Sequence, residues 1–196
     1  MATSLKPDGR SQLSAADRIL HATALTIAER GVSALTMSEV AEEARVSKGL
    51  IHYHFHDKET LLARVLEWTT RQLVEREGLA LAHSTPRTAI DDLWSWLNGE
   101  LQKGHLHVLV ELTDSHDDLV RREIQVSLQV RREATSASTT RLFELLGLKP
   151  RVPTELITEA VLAFRDGLAI AAARDPDYDP RAAFDVFWLA MLSLAD

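Results

Sequence analysis

Three histidines alternate with two aromatic residues in "HYHFH", His52 to His56, between Lys48 and Lys58. Imidazoles can ligate a metal, move a proton or donate to phosphate, and spacing decides among these. On a strand all three would share one face, but the chain has no second run of period two to pair with it. On a helix each residue turns by about 100°, so His52 and His56 come together while His54 points nearly the opposite way. His52 and His56 have the i, i+4 spacing of a helical zinc pair. However, His56 directly precedes the helix cap Asp57 and no third ligand stands close by, so no metal is assigned here. What remains is a helix end that meets another molecule. Ile51 and Phe55 share the inward i, i+4 face, and Tyr53 stands outside with the histidines.

The elements that position this helix are marked by caps. Ser14 with Asp17 resembles a capping box and opens a helix whose stripe carries Ile19, Leu20, Ala22, Thr23, Ile27 and Ala28, stopped by Gly31. Thr36 with Glu39 is a capping box for a short helix over about 37–44. Ser47 caps a third helix and Asp57 a fourth, which carries Leu61, Leu62, Val65 and Leu66. Only about three residues separate the second helix from the third. Two short helices so joined, braced by a longer one, make a helix-turn-helix whose second member, "KGLIHYHF", can enter a DNA major groove.

Charge distribution allows a polyanionic partner. The net charge of −7 lies entirely in residues 67–196, with 14 Lys+Arg and 21 Asp+Glu, whereas residues 1–66 hold 8 of each. A neutral module with grouped cations can meet phosphate although the whole chain is acidic. A chain of 196 residues that is 45% hydrophobic can bury a large core. Its lack of cysteine rules out a disulfide framework and fits a reducing cytoplasm, the expected location. The polar start has no apolar signal core, and no apolar run nears the roughly 18 residues of a membrane span. No membrane partner is expected.

Arg18 to Glu67 resembles the DNA-binding region of the TetR family of one-component bacterial regulators. The resemblance rests on the "AERG" helix end, "TMSEVAEEARVSKG" and "HYHFHDKETLL" in this order and spacing. It implies contacts to operator DNA, mostly phosphate, from Thr36, Lys48, Tyr53, His54 and Lys58. Position 52 is usually tyrosine in that family and is His52 here, so a shorter imidazole replaces a phenol. With Ser47, Gly49 and Leu50, these residues form the expected DNA-binding set. Gly49 permits close backbone approach, and Leu50 offers an apolar contact that suits a thymine methyl.

The rest of the chain reads as further helices over roughly 58–82, 86–103, 105–117, 118–146, 154–174 and 181–195. The fold class is therefore all-α. A tail at 1–13 precedes a DNA-binding domain at 14–57 and a helical ligand-binding and dimerisation domain at 58–196. The last two helices are apolar nearly all round, so both faces need cover. Leu156, Phe164, Leu168, Phe184, Phe187, Trp188 and Met191 are the expected homodimer interface, and the family resemblance implies pairing as well. Two helical stripes, with Trp68 and Phe164, suggest a largely apolar pocket for an unidentified small molecule: Trp94, Leu97 and Leu101, then His105, Leu109, Leu112 and His116. His107, Glu111, Asp114 and Asp118 read more simply as a solvated polar face than as a metal site.

The expected function is a dimeric regulator, a repressor released from a palindromic operator by that molecule, with no cofactor and no catalytic activity. Two alternatives stand beside it. One is a DNA-binding protein of the same fold controlled by a protein partner. The other is a helical metal-dependent enzyme, which no nucleophile or phosphate-cradling loop supports.

Overall fold

A computed structural model of the protein describes residues 14–175 and 177–196. The expected tail, 1–13, lies outside the described residues. Helix α1 (Ala15–Arg30) begins where the Ser14 hydroxyl accepts from the Asp17 N–H at 3.1 Å and donates to its carboxylate at 2.7 Å. It ends at Gly31, whose φ of 76° suits a residue without Cβ. After a 3₁₀ turn (Val32–Ala34), helix α2 (Met37–Glu43) carries the complete Thr36/Glu39 capping box. Helix α3 (Lys48–Phe55) is capped by Ser47, which accepts from the Leu50 N–H at 3.2 Å, and α4 (Lys58–Ala80) by Asp57, which accepts from Thr60 at 2.8 Å.

The larger part contains α5 (Ala89–Gln102), α6 (His105–Glu111), α7 (Asp118–Leu146), α8 (Thr154–Arg174) and α9 (Pro180–Leu192). All-α architecture holds among the described residues, the only extended pairing being a single bridge between Pro150 and Ala195.

Three helix ends differ from expectation by three residues or more, each for a local reason. The sixth helix stops at Glu111 rather than 117, because Asp117 caps α7 through the Leu119 and Val120 N–H groups and the chain must leave its axis first. The fifth starts at Ala89 rather than 86, since Thr85 to Thr88 form a turn closed by the Thr88 hydroxyl. The last ends at Leu192 rather than 195. Backbone bonds from Lys149 and Arg151 to Asp196 and Leu194 draw the end of the chain onto the α7–α8 loop.

Helix α4 runs from the third helix into the body, where it packs along α7. Helix α8 lies on α6 and α7, and α9 on α8 and α5. Helix α1 touches both α4 and α6. One apolar core runs continuously from Ile19 and Ile27 through Leu61, Leu73 and Leu106 to Leu142 and Phe184.

Candidate nucleic-acid interface and internal cavity

Helix α3 is held by one face. Ile51 and Phe55 are buried, and the helix packs on α1, α2 and α4. Lys48, Gly49, His52 and Tyr53 are exposed, Tyr53 at 76%, while Leu50 and His54 are half-buried. The His54 ring sits between those of Tyr53 and Phe55, 5.2 and 6.0 Å from their centroids. A helix so anchored presents Lys48, Gly49, His52 and Tyr53 outward, the arrangement a groove-reading helix needs.

Several expected contact residues already have partners within the chain. The Thr36 hydroxyl accepts from the Glu39 N–H and donates to its carboxylate, so it is spent on the cap. Lys58 donates to the Leu35 carbonyl at 2.8 Å and to that of Val32 at 3.3 Å, leaving one of its three N–H groups for an outside acceptor. His52 Nδ1 lies 2.9 Å from the His56 carbonyl. A carbonyl only accepts, so Nδ1 carries the proton; the neutral ring then offers a lone pair at Nε2, and only the protonated ring donates there. Lys48 and Tyr53 are exposed.

A cavity lies between α4, α5, α7, α8 and α9. Its free volume is about 20 Å³, room for about one water. Leu97, Val161, Phe164 and Trp188 supply apolar walls. One wall is polar: Arg165 makes a bidentate pair with Glu77 at 2.9 and 3.2 Å and donates to Thr135 at 2.8 Å, and all three are buried. The guanidinium lies over the Trp96 ring, 4.5 Å from its centroid. On α7, the next turn toward the N-terminus, Arg131 is buried and pairs with Asp166.

Of the expected pocket residues, Leu97 and Phe164 line this cavity and the others do not. Trp94 packs 5.1 Å from Phe184 beneath Arg181, so Trp96 is the indole of α5 that meets the cavity. Trp68 stands edge-on to His21 and His105. Leu109 and Leu112 are core, Leu101 borders a different groove, and His116 is exposed in the turn after the shortened α6. His105 is committed to Glu100, 2.8 Å away. Burial raises the Glu100 carboxyl pKa, but hydrogen bonds from His105, Arg76 and Lys103 outweigh that and hold it at about 2.

Sequence reasoning missed Glu77, Trp96, Thr135 and Arg165. The available signal was a charge on an apolar stripe: Arg165 continues Thr158 and Val161 and precedes Leu168 at helical spacing. Among the described residues no group of three or more metal-ligating side chains gathers, and His107 faces Glu111 at 3.8 Å.

The expected interface also needs correction. Leu168, Phe184 and Trp188 are buried inside the protomer and cannot face a partner. Phe187 stacks on Phe164 at 4.0 Å, and both are half-buried, as is Met191. On the last two helices the large apolar side chains left outside are Leu156 on α8, 62% exposed, with Val186 and Leu189 on α9, 69% and 74% exposed.

Residues 19–65, which include all of α2 and α3, match the family model described as "Bacterial regulatory proteins, tetR family". Those residues carry the DNA-binding region of the TetR family. Over 175 residues it is 27% identical to the HTH-type transcriptional regulator BetI of Paraburkholderia phymatum, covering 85% of each chain. Two solved structures share the fold. A transcriptional regulator from Rhodococcus superposes with a TM-score of 0.74 at 24% identity, covering 93% of this chain and 98% of that one. The regulator FadR from Bacillus subtilis, in complex with stearoyl-CoA, gives 0.70 at 21% identity, covering 90% and 97%.

Helix α6 is clasped at both ends to α1 and the turn that follows it. At its start, Gly104 has φ 71°, and a Cβ there would lie 2.4 Å from that of Ala28 on α1, so only glycine allows the approach. At its end, the Glu111 carboxylate accepts from the Val32 N–H at 3.3 Å, just past α1. Glu100 then joins α6 to α4, through His105 and Arg76. Among the described residues no helix is long and apolar enough to cross a membrane.

Proposed function

We propose that this TetR-family transcriptional regulator is a homodimeric repressor that grips a palindromic operator through α3 and releases it when a small, largely apolar molecule enters the cavity. Residues 14–57 then act as the DNA-binding unit and 58–196 as the sensing and pairing unit. The observation that carries this is the division of α3: Ile51 and Phe55 are buried, while Lys48, Gly49, His52 and Tyr53 are exposed.

Pairing is supported by the exposed Leu156, Val186 and Leu189 beside the small residues Ala163 and Gly167, which permit close helix approach. A second copy is the occupant that suits this patch, because two half-sites of a duplex call for two recognition helices. Sensing is supported by an apolar-walled cavity with one polar wall, and by the FadR neighbour, whose structure holds stearoyl-CoA. No catalytic step belongs to this function. The small free volume favours the other reading, control of a DNA-binding protein by a protein partner.

The test begins with genomic fragments captured by the purified protein and the symmetric sequence they share. Sedimentation of the complex is expected to give two chains per site, and apolar compounds that raise thermal stability are expected to release the duplex. Absence of sequence-selective binding would overturn the operator function. Selective binding that no stabilising compound weakens would favour the protein-partner reading.

A further inference from the structure

We infer that the effector is a neutral, largely apolar molecule carrying a carbonyl or equivalent hydrogen-bond acceptor, held by Trp96 and Arg165. This rests on the proposed effector cavity and specifies its chemistry. Trp96 Nε1 and Arg165 Nε are buried N–H donors, and neither finds a hydrogen-bond partner among the described residues. An indole N–H and a guanidinium can only donate, so both call for an acceptor. The two groups belong together, since the guanidinium stacks on the Trp96 ring at 4.5 Å and both residues line the cavity. The remaining guanidinium nitrogens are committed, Nη1 to Glu77 and Thr135 and Nη2 to Glu77.

Charge decides between a neutral acceptor and an anion. Among the described residues, Glu77 and Arg165 are the only charged ones of the lining, and they neutralise each other. A carboxylate would lose its hydration, find no net positive charge and stand close to Glu77. A carbonyl oxygen has lone pairs for the donors and loses less on leaving water. Leu97, Val161 and Phe164 leave apolar surface for the rest of the molecule.

Three probes of similar shape test this: butylbenzene, butyrophenone and 4-butylbenzoate, titrated into the full chain labelled with ¹⁵N at its indoles. The Trp96 signal is assigned from Trp96→Phe, which keeps an aromatic ring and removes the N–H. Butyrophenone is expected to bind roughly three- to ten-fold more tightly than butylbenzene, the effect of one hydrogen bond, and to shift the Trp96 indole signal. In Trp96→Phe the ratio of the two affinities should shrink toward one, whatever the loss of ring area does to both. Equal affinities with an unmoved indole signal would mean that ordered water answers the two donors, and would overturn the inference while leaving the effector cavity intact. Tightest binding by 4-butylbenzoate would overturn the neutral class. If no probe bound, the effector cavity itself would fall, and the inference with it.

Discussion

Arg165 of α8 and Glu77 of α4, 88 residues apart in sequence, meet as a bidentate pair at 2.9 and 3.2 Å with each residue 2% exposed. Breaking such a pair leaves one charge buried without its partner, a cost of about 3–5 kcal/mol. Glu77→Ala is therefore expected to lower the urea midpoint strongly. The double variant Glu77→Leu, Arg165→Met removes both charges and should recover most of that loss. A single variant as stable as the parent would contradict the pairing.

Lys48 and Lys58 are expected to separate in their effects. Lys48 is exposed at the start of α3, so Lys48→Ala should weaken binding to every duplex and lower the salt slope by about one unit. Lys58 closes the carbonyls of Val32 and Leu35. Lys58→Ala should lower the melting temperature as well, whereas Lys48→Ala should leave it unchanged. Melting curves beside salt titrations of operator binding measure both.

The two faces of α9 predict opposite outcomes for charge. Val186 and Leu189 are exposed, so Leu189→Glu should leave the protomer folded and yield monomers in sedimentation. Phe184 is fully buried, and even Phe184→Ala should cost about 3–5 kcal/mol. A Leu189→Glu protein that still sediments as a dimer would place the interface elsewhere.

Acid should expose the Glu100 network. Its carboxyl is held at about 2, below its ordinary value of 4.5, because partners favour the charged form more than burial opposes it. A group depressed in the folded state stabilises it above the unfolded pKa and loses that contribution as pH falls through the folded one. The window is therefore about pH 4.5 down to 2, and the loss at most about 3 kcal/mol. Glu100→Gln should be less stable at neutral pH and should flatten this part of the stability profile, as read by thermal melts across the window.

What the sequence determined by itself was mostly local. Ser14, the Thr36 and Glu39 box, Ser47 and Asp57 each bond to groups within three residues, so α1 to α4 and the short turn between α2 and α3 could be placed from their order alone. The i, i+4 pair of Ile51 and Phe55 likewise set the inward face of α3, because Tyr53 stands nearly opposite them on the helix and is exposed. Tertiary structure decided whatever needed a partner from elsewhere. Lys58 meets carbonyls 23 and 26 residues away, and Arg165 meets a carboxylate 88 residues away. Helix α9 is apolar nearly all round, so its periodicity carries no phase. Packing against Trp94 and Phe164 turned Phe184, Trp188 and Phe187 inward and left Val186 and Leu189 outside. Spacing along one helix reports which residues share a face; which face is covered depends on the neighbouring helices, and those are set only when the chain has folded.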